Sequence, residues 1–302
     1  MNGPIVIAGG TGFIGQALTR ELKSRGRDVL LLSRGPSGSR DGFPLVHWDV
    51  KAGGGAWAKE VGAAQAVINL AGESVADGRW TKNRKKMLWE SRIMTTRALI
   101  DGMEHLSPRP PIFINASAVG FYGSRGDEDL NEGASSGSDF LAQLCRAWEK
   151  EAVSAEKIGV RTVRIRIGIV LGRGGGALAK MLFPFRLGLG GRLGSGKQWM
   201  SWIHLDDLTG LILFILNQEN IRGAINATAP NPATNEEFTK TLAAVLNRPA
   251  FFGVPGPFLR LALGEMADML LTGQRVLPKK ALALGYKFRY PTLKEALIKA
   301  CH

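Results

Sequence analysis

Seven residues near the start of the chain, Gly9-Gly10-Thr11-Gly12-Phe13-Ile14-Gly15, have the types and spacing to hold a negatively charged ligand. Glycines at the first, fourth and seventh positions permit a tight turn and a close backbone approach. The helix that follows would aim unpaired N–H groups at phosphates. The chain has 39 glycines, so such spacing alone would mean little. What gives it weight is context: an apolar run, Ile5-Val6-Ile7-Ala8, comes before it, and an amphipathic segment with Ile14, Ala17, Leu18 and Leu22 on one face comes after. Gly9, Thr11, Gly12, Phe13, Ile14 and Gly15 are therefore the expected cradle of a dinucleotide pyrophosphate. A second group lies about 20 residues on, where Ser33-Arg34 ends the apolar run Val29-Leu30-Leu31-Leu32. A carboxylate at this place takes the ribose hydroxyls of NAD(H). A hydroxyl and a guanidinium instead suit a 2′-phosphate, through charge-assisted hydrogen bonds, and predict NADP(H).

Other chemistry is weaker on inspection. Gly191 to Lys197 nearly matches a phosphate-binding P-loop, but Gln198 stands where Ser or Thr must hold Mg²⁺, and no buried strand precedes it. Turns explain those glycines better. His204 beside Asp206 and Asp207 invites a catalytic reading, yet two carboxylates at the start of an apolar helix are expected there as partners of its dipole. The four histidines lack ligand spacing and only Cys145 and Cys301 are present, so neither a metal centre nor a disulfide framework is expected.

The elements that must position these residues alternate. Apolar runs at Ile5–Ala8, Val29–Leu32, Leu45–Trp48, Ala66–Asn69, Ile112–Ala116 and Arg164–Leu171 read as strands. Amphipathic segments between them, notably Trp80–His105 and Phe140–Lys157, read as helices. That order predicts an α/β fold with a Rossmann-type, doubly wound parallel sheet, its ligand beyond the carboxyl ends of the strands. Leu70, Ala71 and Gly72, leaving the fourth strand, are small enough to let backbone approach the cofactor. Residues 34–44 and the acidic stretch 124–139 are expected as loops. Residues 1–171 are expected to form the NADP-binding domain and 172–302 a smaller, mostly helical domain over the substrate cleft, with 201–229 packing back onto the first.

With 302 residues, 45% of them hydrophobic and 22% charged, the chain reads as a globular protein of one or two domains. No apolar run could span a bilayer and no export signal opens the chain, which predicts a cytoplasmic protein without a membrane role. The net charge of +13 collects partly in Arg79 to Lys86. Basic clusters can follow nucleic acid, but no nucleic-acid-binding motif accompanies this one, so a solvated helix face is the better expectation.

Taken together, Gly9–Gly15, Ser33-Arg34, Asn69 to Glu73, Ser117 to Gly123, Arg166 to Gly172 and Trp202 to Asp207 resemble an atypical extended short-chain dehydrogenase/reductase of the NAD-dependent epimerase/dehydratase-like kind, with a C-terminal helical domain. The resemblance implies NADP(H) on the first domain, a contribution to the cofactor site from Arg92, and a monomer or homodimer acting on a small molecule. It breaks at one point. Relatives use Tyr-x-x-x-Lys on the helix after the fifth strand, whereas here that pair would fall on Leu141 and Cys145, or on Phe140 and Leu144. Two readings follow. Either Ser117 and Tyr122 form a relocated proton-transfer pair in an oxidoreductase or epimerase acting on a small carbonyl or sugar-like substrate. Or the protein is a catalytically silent NADP(H)-binding redox sensor or partner-binding module, the segment from Arg79 being its docking surface.

Overall fold

The computed structural model describes residues 3–51 and 56–302. The chain runs through β1 (Ile5–Ala8), α1 (Phe13–Ser24), β2 (Val29–Ser33), β3 (Gly38–Arg40), β4 (Phe43–His47), α2 (Ala56–Gly62), β5 (Ala66–Asn69), α3 (Lys82–Glu104) and β6 (Ile112–Ala118). After a 3-10 turn at Val119–Tyr122 (a second lies at Gly264–Ala267) come β7 (Asp129–Leu130), α4 (Phe140–Lys157), β8 (Arg161–Ile167), β9 (Ile169–Leu171), α5 (Gly176–Arg186), β10 (Trp199–Met200), β11 (Trp202–His204) and α6 (Leu205–Leu216). The rest comprises β12 (Gly223–Ala227), β13 (Ala233–Thr234), α7 (Asn235–Leu246), α8 (Gly256–Leu263), α9 (Asp268–Leu271), β14 (Arg275–Val276), α10 (Lys279–Ala283) and α11 (Leu293–Cys301).

Eight strands make the main sheet in the order β12-β8-β6-β5-β1-β2-β4-β3. Every pairing is parallel except β3 with β4. The central strands β1 and β5 are buried on both faces because helices cover both. Ile5 and Ile7 of β1 point into a core shared with Leu18 and Leu22 of α1 and Leu208 and Ile212 of α6. Val6 and Ala8 point the other way, toward Leu99 and Met103 of α3 and Ala152 of α4. Strand order reverses between β1 and β5, so the crevice for a ligand opens there, above Ala8 and Asn69.

Two expectations change, and the sheet is completed late in the chain. The loop after Arg34 contains β3, which the composition Gly-Ser-Arg hid and pairing with β4 stabilises. The acidic loop contains β7, which pairs in parallel with β14 from the far end of the chain. And the main sheet closes with β12, after the chain has already made β9, α5 and α6. A separate core gathers Trp202, Phe238, Leu242 and Leu297. It is fastened to α6 by Asp207: the buried carboxylate accepts the backbone N–H of Arg289 at 2.7 Å and of Tyr290 at 3.0 Å. His204, rather than either aspartate, caps α6, its Nδ1 accepting the N–H of Asp206 at 3.1 Å.

Candidate active site

The glycine turn is closed by packing. Gly9 has φ of +79°, and a Cβ there would lie 2.7 Å from the carbonyl carbon of Leu70. A Cβ on Gly15 would lie 2.3 Å from the Gly9 oxygen, and one on Gly10 would lie 2.5 Å from Leu31. These glycines let β1, β5 and the start of α1 close in on one another. Thr11 is held from behind, its carbonyl accepting Gln16 Nε2 at 2.9 Å. Gly12 caps α1 with no side chain, and the first turn, which includes Phe13 and Ile14, has no acid. By contrast α3, α4, α6, α7 and α11 each receive a side-chain cap. The positive end of α1, like that of α5, thus has no side-chain cap and no acid in its first turn.

At the next strand end the Ser33 hydroxyl accepts the Gly35 N–H at 3.1 Å, which turns the chain. Arg34 extends into solvent, 81% exposed, with its Nη1 3.5 Å from Glu73 Oε1. Glu73 follows Leu70, Ala71 and Gly72, so Arg34 and the β5 exit stand on opposite sides of one opening. Leu70 donates to the Ala8 carbonyl at 2.9 Å and Ala71 to Asn69 Oδ1 at 3.1 Å, which keeps this backbone over the end of β1.

Arg92 of α3 reaches the same place. Its guanidinium donates to the Glu73 and Leu88 carbonyls at 2.9 and 3.0 Å, lies over the Trp148 ring, and sits 3.3 Å from where a Gly72 Cβ would be. Burial pulls its pKa below the usual arginine value, partly offset by the Glu73 carboxylate. Contacts therefore link Gly9 with Leu70, Arg34 with Glu73, and Arg92 with Gly72 and Glu73, around the carboxyl ends of β1, β2 and β5.

Ser117 and Tyr122 are placed differently. They share no hydrogen bond. The buried Ser117 hydroxyl donates to Glu149 Oε1 at 2.7 Å. The phenol of Tyr122, fully buried by the 3-10 turn, donates to Asn226 Oδ1 at 2.7 Å and accepts from Arg166 Nη1 at 2.8 Å. Arg166 also grips Glu149 through two bonds of 2.7 and 2.9 Å, and its guanidinium stacks 3.6 Å from the Phe121 ring centre. Burial raises the Tyr122 pKa, the arginine opposing. Glu149, Arg166 and Asn226 had no role in the sequence reading. Their signal was a charged residue between Ile165 and Ile167 of a buried strand, which demands a buried partner. On α4, Leu141 and Cys145 pack against Gly120, and burial pushes the Cys145 thiol up to about 12.

The remaining candidates are structural. Gly191 lies against Phe252, and Leu193 bridges to Val254, so the glycines of this stretch serve packing. Arg79 donates to the Leu261 carbonyl, Arg84 to that of Ser74, and Lys85 pairs with Glu265, so much of the basic segment ties α3 to its surroundings. Among the described residues no cluster of His, Cys, Asp and Glu could hold a metal, and no helix is long and apolar enough to cross a membrane.

A parallel sheet with a glycine turn, an uncapped helix and its crevice at the reversal of strand order defines a Rossmann-type dinucleotide-binding protein. The particular family follows from comparison: residues 5–227 match the NAD dependent epimerase/dehydratase family, and this chain belongs to it, as an atypical short-chain dehydrogenase/reductase. Residues 254–300 match a domain of unknown function, DUF1731. The chain is 42% identical over 298 residues to the epimerase family protein SDR39U1 homolog, chloroplastic, of Arabidopsis thaliana, covering 97% of this chain and 85% of that protein. It is 41% identical over 295 residues to the epimerase family protein YfhF of Bacillus subtilis, covering 97% and 96%. The crystal structure of human epimerase family protein SDR39U1 (isoform 2) with NADPH superposes with a TM-score of 0.88 at 37% identity, covering 98% of each chain.

Proposed function

We propose that this chain binds NADP(H) in the crevice between β1 and β5 and acts as an oxidoreductase or epimerase on a small carbonyl or sugar-like substrate. The observation that carries the reading is the match between the cradle and the cofactor. Close-packed glycines and an uncapped α1 suit a pyrophosphate, and a solvent-extended Arg34 beside Ser33 suits a 2′-phosphate. The human relative solved with NADPH supports the same choice. The nicotinamide would supply or accept a hydride at a substrate carbon. This chain's residues would bind and orient. Backbone N–H groups of Phe13, Ile14 and Gly15, in the first turn of α1, hold the diphosphate, and Ser33 and Arg34 hold the adenosine end. Arg92 brings a positive charge next to Gly72 and Cys145, near the place where relatives carry lysine. Residues 172–302, apart from 201–229, form the lobe that shapes the substrate side. We place the protein in the cytoplasm, although the Arabidopsis relative is named chloroplastic.

A second reading, silent binding of NADP(H) as a redox sensor, draws on Tyr122 and Ser117. Both hydroxyls are committed to Asn226, Arg166 and Glu149, so a proton relay through Tyr122 requires that network to open. Incubation with NADPH and a panel of carbonyl compounds and nucleotide sugars, followed by absorbance and solvent-deuterium uptake, separates the two. Turnover of any substrate ends the sensor reading. If Ser117→Ala and Tyr122→Phe leave that turnover unchanged, the relocated pair is excluded. Tight NADH binding equal to that of NADPH would overturn the cofactor assignment.

A further inference from the structure

Arg164 and Arg166 project from the same face of β8, two residues apart, yet only Arg166 has partners. Arg164 makes no hydrogen bond or ion pair with a described residue, and its Nε is buried without an acceptor. Its Nη2 lies over Gly223, the first residue of β12: a Cβ on Gly223 would come 3.4 Å from Arg164 Nη2 and 3.8 Å from Lys280 Nζ. Two cations therefore converge on the space that a glycine leaves open. Arg222 stands at the rim as a third, and Thr162 and Glu156 line the same cleft, which has a volume of about 350 Å³. Lys280 is already tied to the Arg222 and Ala224 carbonyls, and its backbone N–H engages Glu132. Glu156 is the one carboxylate in the lining, set against two arginines.

A partly buried guanidinium without a partner is an unfavourable arrangement unless something supplies the missing acceptor. We propose that this cleft is a binding site for a phosphate group, either free or carried as the monoester of a small metabolite. The Nη2 end of the Arg164 guanidinium, beside Gly223, can donate to phosphate oxygens, Arg222 in the lining adds a second cation, and Lys280 adds charge from behind Gly223. The volume is at the small end of ligand sites, about 300–1,000 Å³, which suits a compact phosphate ester. The cleft lies by the amino-terminal ends of β8 and β12, whereas the crevice lies beyond the carboxyl ends of the parallel strands, so the two sites are separate.

The test is calorimetric titration of the whole chain, saturated with NADPH, with inorganic phosphate and with glucose 6-phosphate as probes. One saturable site per chain is expected, weakened about tenfold or more by Arg164→Gln and by Arg222→Gln, with NADPH affinity unchanged. Arg222 is exposed, so its variant keeps the test decisive should Arg164→Gln fail to fold. Tighter binding of the ester points to a metabolite, and equal binding to free phosphate; either supports the site. Absence of saturable binding, or binding indifferent to the substitutions (an adventitious ion only), overturns it.

Discussion

The two sides of the crevice are built on opposite principles. Around Gly9 to Gly15 the chain removes side chains, leaves a helix start uncapped and lets an arginine stand in solvent. Around Ser117 and Tyr122 every hydroxyl is spoken for, through a chain of bonds running Ser117, Glu149, Arg166, Tyr122 and Asn226. The first side is prepared for an anion from outside. The second satisfies itself. The contrast teaches that a hydroxyl and a phenol at the expected height of the sheet are not thereby available to a substrate, because availability depends on unspent hydrogen-bonding capacity.

The largest effect expected is at the open side. Gly15→Val places atoms within 2.3 Å of the Gly9 oxygen and should abolish NADPH binding measurable by fluorescence titration. Next comes the closed side: Arg166→Met strands the Glu149 carboxylate and should cost about 3–5 kcal/mol in urea unfolding, as broken buried ion pairs do. Arg34→Asp should weaken NADPH roughly 10- to 100-fold while leaving NADH affinity almost unchanged, the signature of a lost charge-assisted bond. Tyr122→Phe should lower stability by about 1–3 kcal/mol, leaving Arg166 and Asn226 short of one partner, with no change in NADPH affinity. A loss of affinity there would merge the two sides that the contrast separates. The smallest effect concerns Cys145. With its thiol pushed up to about 12, it should resist iodoacetamide in the native protein between pH 7 and 8.

Legibility in the sequence followed burial. Strands such as Ile5–Ala8 and Ala66–Asn69 were readable because a parallel strand covered on both faces is apolar throughout. α4 was readable from end to end through its apolar stripe, and the structure adds the Asp139 side chain as its cap. Strand β3 was not, being three exposed residues that owe their conformation to a neighbour. The cofactor side was legible because glycine spacing is a local signal. The partners of Tyr122 were not, since Arg166 and Asn226 lie 44 and 104 residues away and only the folded sheet brings them together. Glu149 and Arg166 could have been paired in advance, as two charges on elements otherwise read as core. The unpartnered Arg164 could not, because nothing in a sequence marks a missing neighbour.

The late arrival of β12 bears on how the protein is made. The main sheet lacks the strand beside β8 until residue 227 has left the ribosome, by which time β9, α5 and α6 have already emerged. Until then β8 remains an edge, with backbone groups open to pairing with another nascent chain. A fragment ending after β9 should inherit that exposed border and aggregate, so the smallest unit able to mature alone must extend through Ala227.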